Sequence, residues 1–223
     1  MLMEAPTPAS PQLRLPQTGN AMPLLELVQG RSGLLIDLAY ARADNVTGKP
    51  IYARARCFLH PDAAALLDRA AELARPHGLR LKIFDAYRPP EAQWVLWNAF
   101  PNPEFVADPR RGSPHSRGVA VDLTLVDGTG LELEMGTPFD DFTAASHHGS
   151  LAVSVEAQRN RALLLGLMTE AGWDFYRNEW WHYQLFNSRS YPLISDSALP
   201  EGLMPRQESG VRTQDSGAPA FAT

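Results

Sequence analysis

The sequence predicts an α+β fold, a single domain in which a mostly antiparallel central sheet is flanked by helices. Three observations point there. Helical and strand patterns alternate irregularly along the chain, a hairpin signal interrupts them, and no Gly-rich phosphate loop follows any strand, as a doubly wound parallel sheet would favour. At 223 residues, with 44% hydrophobic and 20% charged, the chain suits one domain with a sizeable core.

The elements follow in order. Residues 1–23 carry Pro6, Pro8, Pro11, Pro16 and Pro23 among small polar residues, the composition of an extended or disordered arm. The ordered domain is expected over 24–203, with a Gly/Pro-punctuated, disordered tail over 204–223. "LLIDLAY" (34–40) is apolar enough for a strand and "DNVTGKP" follows as a turn. "PDAAALLDRAAELARPHG" opens with Pro61 at a first helical position, repeats Ala and Leu at helical period, and stops at Gly78. "LRLKIFDAY" then alternates as a strand, with Leu79, Leu81 and Ile83 on one face. A second helix starts at the prolines of "RPPEAQWVLWNAF" and ends before Pro101, and a Pro/Gly/Arg-rich loop occupies 101–114. "DGTG" (127–130) predicts a hairpin between 119–126 and 131–135. A third helix covers 155–171, closed by Gly172, and "WDFY" and "WWHYQLF" read as the last strands.

Charge and composition exclude several classes. A formal charge of -5 without any Lys/Arg block offers no attraction to a nucleic acid or an anionic membrane. The lone Cys57 cannot form an internal disulfide, and within "RCFLH" it reads as a small buried hydrophobe. No signal-peptide pattern and no run of roughly 20 apolar residues is present, so a cytoplasmic protein acting on a small molecule is expected.

Two stretches carry chemistry. In "SPHSRGVAVDLTL", strand alternation puts Val119, Val121, Leu123 and Leu125 on a core face and Gly118, Ala120, Asp122 and Thr124 on the other. The second face is a set of small residues around one carboxylate, and His115 can fold back over it. In "NEWWHYQLF", Glu179 lies three residues before His182, among aromatic residues where an unpartnered carboxylate would be costly. Two-fold alternation would separate Glu179 from His182, so convergence requires an irregular strand start. His115, Asp122 and His182 together supply two imidazoles and a carboxylate, a set that suits Zn2+ with a fourth position open for water, and Glu179 is the candidate base.

These motifs resemble a known family. "SPHSRGVAVDLTL" fits the S-x-H-x-x-G-x-A-x-D signature of the zinc D,D-peptidases of peptidase family M15, and "EWWHY" fits the motif of their VanX-like D-alanyl-D-alanine dipeptidase branch. "YARADNVTGKPIY", "FDAYRP" and "MGTPFDDF...SHH" extend the resemblance over roughly 35–190 in the family's order. It implies a Hedgehog/D,D-peptidase-like fold, one zinc per chain on His115, Asp122 and His182, and Glu179 as catalytic acid/base. It further implies Arg88 as the oxyanion stabiliser and Asp140 as the carboxylate receiving the substrate ammonium, with Ser113 assisting. Asp141 beside Asp140 leaves that register open by one, and Pro114 departs from the common pattern next to Ser113. His147 and His148 match a family pair without being assigned to the metal.

The expected activity is zinc-dependent hydrolysis of D-alanyl-D-alanine or closely related D,D-dipeptides, a cell-wall peptide chemistry. Its alternatives are a D,D-carboxypeptidase acting on peptidoglycan stem peptides and a catalytically inactive zinc-bearing binding module. Oligomeric state, dipeptide preference and physiological role have no signal in these motifs.

Overall fold

The computed structural model describes residues 24–206. The arm expected over 1–23 and the tail beyond 206 lie outside the described residues, while Met204, expected in the tail, still packs on the core.

Seven strands and three α-helices are formed among the described residues. The strands are β1 (Leu25–Leu27), β2 (Leu35–Ile36), β3 (Cys57–Leu59), β4 (Arg80–Asp85), β5 (Ala120–Val126), β6 (Asp174–Phe175) and β7 (His182–Gln184). The helices are α1 (Pro61–Ala74), α2 (Pro90–Ala99) and α3 (Val155–Ala171). Five strands make the central sheet in the order β2-β4-β5-β7-β6, and β1 and β3 make a separate antiparallel ribbon. Within the main sheet only β2 and β4 run parallel, so the expected α+β, mostly antiparallel class is what forms.

Helix boundaries follow the chemistry of the caps. Pro61 opens α1, the His60 ring accepts from Asp62 N at 3.2 Å, and the chain leaves through Gly78 at φ 69°. Buried Ala63, Ala64, Ala70, Ala71 and Ala74 keep one face of α1 low, which lets it lie closely on the core beside α3. The Ser154 hydroxyl caps α3 by accepting from Ala157 N at 3.0 Å, and Gly172 ends it at φ 104°.

Every residue of β5 is buried, as befits the central strand. Val121, Leu123 and Leu125 join the core cluster of α1, α3 and β4. A second apolar cluster, with Tyr52, Phe58, Tyr87, Leu96 and Val106, lies under α2 and the 101–114 loop. The site described below is built where β5 and β7 meet this second layer.

Local readings needed correction in two places. Only Leu35–Ile36 of the 34–40 run is strand, because the chain then turns tightly at Ala39–Ala41 and the Tyr40 carbonyl accepts from both Ile51 N and Tyr52 N. Residues 131–135 make one bridge, Val126 to Glu132, instead of a full hairpin arm. There Asp127 accepts from Thr129 N and Leu131 N, tightening the turn at the expense of the ladder. Cys57 is buried, and burial pushes its thiol up.

Candidate active site

The floor of the site is set by sheet register. Asp122 on β5 stands directly opposite His182 on β7, two positions from the Ala120–Gln184 pair. His115 comes from a short turn, His115–Arg117, just before β5. The Ser113 hydroxyl accepts from His115 N at 3.2 Å, so Pro114 leaves that serine bracing the turn while it also lines the cavity. Gly118 closes the turn at φ 68°, and a Cβ there would meet Leu24 Cδ2 at 2.3 Å. Its small size therefore serves the turn and the packing on Leu24, not the clearance beside Asp122 that the strand pattern suggests.

The three side chains converge. His115 Nε2 lies 3.3 Å from Asp122 Oδ2, His182 Nδ1 lies 3.0 Å from Asp122 Oδ1, and the two ring nitrogens are 3.2 Å apart. The other nitrogens decide the tautomers. His115 Nδ1 sits 2.6 Å from the Ala86 carbonyl, which only accepts, so a neutral His115 carries its proton there and turns the Nε2 lone pair inward. His182 Nε2 faces Gln184 Oε1 at 3.2 Å in the same sense. Two lone pairs and a carboxylate thus crowd one point in a buried place, an arrangement a cation resolves. Their ligand atoms all lie within 4.8 Å of one another, and the mixed N/O donor set fits zinc. Burial would raise the Asp122 pKa, but the charge and hydrogen bonds that His115 and then His182 offer when protonated outweigh it and hold the carboxyl well below the usual range.

Glu179 reaches the same floor. The chain turns between Tyr176 and His182, with Glu179 N donating to Tyr176 O and His182 N to Glu179 O, and β7 begins only at His182. This is the irregular strand start that convergence requires. Glu179 Oε2 lies 3.9 Å from His182 Nδ1, and no lysine or arginine pairs with it among the described residues. Burial first, then the charges of Asp122 and Asp140, push its carboxyl well above the ordinary value.

Arg88 is fixed by the end of β4. A register shift between Ile83 and Asp85 brings Asp85 opposite Asp122, and Arg88 bridges the two acids, with Nε 2.8 Å from Asp85 Oδ2 and Nη2 3.2 Å from Asp122 Oδ2. Gln93 Oε1 accepts from Nη1 at 3.1 Å, and the Tyr40 ring lies 4.9 Å below the guanidinium. One N–H on each terminal nitrogen is left without a protein acceptor among the described residues, on a group that lines the cavity. Asp85 also accepts from Tyr52 OH at 2.8 Å.

The wall is built from loops. Asp140 lines the cavity in the left-handed conformation, φ 62°, and takes the Tyr40 hydroxyl on both oxygens at 3.1 and 2.9 Å. Burial, reinforced by Asp122 and Asp85 against the pull of Arg88, raises its pKa to about 7. Asp141 does not line the cavity, so Asp140 is the one of the two that faces it. The loop is gathered by buried Arg161 of α3, which donates to the carbonyls of Met135 (2.6 Å), Ala145 (2.8 Å) and His147 (3.3 Å). Opposite, residues 103–107 close the cavity, held by Tyr176 OH to Glu104 O at 2.8 Å and by Phe105 stacked on Phe142 at 5.4 Å. The enclosed volume is about 210 Å³, below the roughly 300–1,000 Å³ of pockets for drug-sized ligands. His147 and His148 stand outside the floor; burial, with Arg161, lowers His148 to about 4.

Comparison with known proteins decides the family. Residues 20–197 match the family model described as D-ala-D-ala dipeptidase, Peptidase M15. The chain belongs to the M15 family. This is a metallopeptidase family, in keeping with the His–Asp–His floor. A curated D-alanyl-D-alanine dipeptidase of Escherichia coli K12 is 50% identical over 163 residues, covering 73% of this chain and 84% of the relative. Relatives of the same name from Enterococcus faecium (35% over 181 residues, 72% of this chain and 89% of the relative) and Streptomyces coelicolor (36% over 189 residues, 75% and 92%) are also similar.

All seven residues singled out from sequence line this one cavity. Sequence reasoning missed Tyr40, Asp85, Gln93 and Arg161. Asp85 and Tyr40 stand inside quoted motifs, which was the available signal; Gln93 and Arg161 carried none beyond their place on helices.

Proposed function

We propose that the protein is a zinc-dependent dipeptidase that hydrolyses D-alanyl-D-alanine, or closely related D,D-dipeptides, to free D-amino acids. The observation that carries this reading is the convergence of inward-turned His115, Asp122 and His182 with Glu179, which no lysine or arginine neutralises, and an Arg88 with two N–H groups to spare in one small cavity. The names of the curated relatives supply the substrate class.

His115 Nε2, one or both Asp122 oxygens and His182 Nδ1 would hold the metal, which when bound supplies Lewis acidity to the scissile carbonyl and the attacking water. Glu179 takes the proton of that water and passes it to the leaving amine, so water and amide become an acid and an amine. Its burial raises its proton affinity, which suits delivery to the leaving amine, and a bound cation would draw that affinity back toward the range of a base. Arg88 directs its two unclaimed N–H groups at the oxygen that turns negative, where a permanently charged group gains most in a buried site. Asp140 receives the substrate ammonium, and Ser113, also on the cavity lining, assists. Residues 103–107, which line the cavity, would limit extension beyond the dipeptide's amino end.

A panel of alanyl-alanine stereoisomers, an N-acylated dipeptide and a stem pentapeptide, assayed with and without chelator, tests this. Cleavage of the free D,D-dipeptide alone, abolished by chelator and restored by zinc, is expected. Preference for the pentapeptide would establish the D,D-carboxypeptidase alternative, and bound zinc without cleavage the binding module.

A further inference from the structure

We infer that Gln93 is a positioning residue that sets the orientation of the Arg88 guanidinium and ties it to the cavity wall. The inference rests on the reading of Arg88 as the oxyanion donor. Gln93 sits in the first turn of α2, is 1% exposed, and does not line the cavity, so it acts through others. Its Oε1 accepts from Arg88 Nη1 at 3.1 Å while its Nε2 donates to Ala107 O at 2.7 Å.

The two ends of this amide fix each other. Turning it over would set its NH2 against a guanidinium and its oxygen against a carbonyl, two repulsive contacts in a buried place. The oxygen therefore faces Arg88, and the Ala107 carbonyl, part of the 103–107 wall, is what holds it there.

The chemistry of the acceptor matters as much as its place. Arg88 already meets two carboxylates, Asp85 at Nε and Asp122 at Nη2. A third at Nη1 would set a further negative charge beside the place where an oxyanion must form. A neutral amide oxygen holds the third edge without adding charge, and leaves the second hydrogen of Nη1 for the ligand. With an apolar side chain at 93, Nη1 loses its buried acceptor and the guanidinium is held from one side only.

The test is a double-mutant cycle. Gln93→Leu, with Gln93→Met as a second volume-conserving variant, is measured alone and on Arg88→Ala. Alone it is expected to lower kcat about tenfold, less than the ~10²-fold for loss of an oxyanion donor, with zinc content intact. On Arg88→Ala it should cause no further loss in kcat. A repeat of the tenfold loss on Arg88→Ala, or unchanged kcat in the single variant, overturns the inference. A second readout does not depend on turnover. Side-chain 15N spectra of Arg88 should resolve two Nη signals, from hindered rotation, and in Gln93→Leu, where Asp85 and Asp122 still hold Nε and Nη2, the Nη1 signal should move while the Nη2 signal stays. Identical spectra also overturn it, whereas failure of the unmodified protein to cleave any D,D-dipeptide contradicts only the proposed function.

Discussion

In the floor of the cavity, Asp122 and His182 face each other across paired strands, and His115 hangs from a turn that leads straight into one of them. In the wall, Asp140 and residues 103–107 belong to no strand or helix and are held by side chains reaching in from elsewhere: Tyr40, Arg161, Tyr176 and Gln93. Backbone pairing fixes the floor before any ligand arrives, whereas the wall depends on a few buried polar contacts. Metal binding and substrate binding should therefore be separable by mutation.

Asp140→Asn breaks the wall and spares the floor. The amide cannot pair with an ammonium, so kcat/KM is expected to fall about 10²-fold, mainly through KM, with zinc retained. The pH dependence sharpens this. Burial raises Asp140 to about 7, and the positive charge of a bound metal would draw the value lower. At acid pH the carboxyl is neutral and cannot hold the ammonium, so KM should rise as pH falls through a value at or below about 7, and Asp140→Asn should lack that limb. A KM limb that persists in Asp140→Asn would show that another group receives the ammonium.

Gly118→Ala strains the floor alone. The residue must hold φ 68° and place a methyl against Leu24 and His60 N, at a cost of about 2–4 kcal/mol by denaturant unfolding. Zinc affinity should fall with it, because the same turn presents His115, while KM in zinc-saturated protein stays unchanged. If stability and zinc affinity are unaffected, the floor is not as dependent on this turn as its geometry implies.

The same division explains what could be read from the sequence. His115, Asp122 and His182 were legible because they lie on or beside strands whose alternation and spacing restrict where side chains go, whereas Glu179 ran against that alternation and was legible as a carboxylate among aromatic residues in the family motif. The helix limits at Pro61, Gly78, Ser154 and Gly172 were legible from caps and breakers. Choosing Asp140 over Asp141 was not, because the choice lies in one left-handed residue and a hydroxyl a hundred positions away. Asp85 enters the site through a register shift at Phe84, and Arg161 through carbonyls 14 to 26 residues off, neither of which leaves a local pattern.

The central claim is that one floor holds the metal while a separate, buried carboxylate moves the proton. Glu179→Ala tests it most directly, by kcat on D-alanyl-D-alanine measured together with zinc content. Turnover is expected to fall by about 10³-fold or more with one zinc still bound per chain. Loss of the zinc, or turnover close to that of the unmodified protein, would contradict the account.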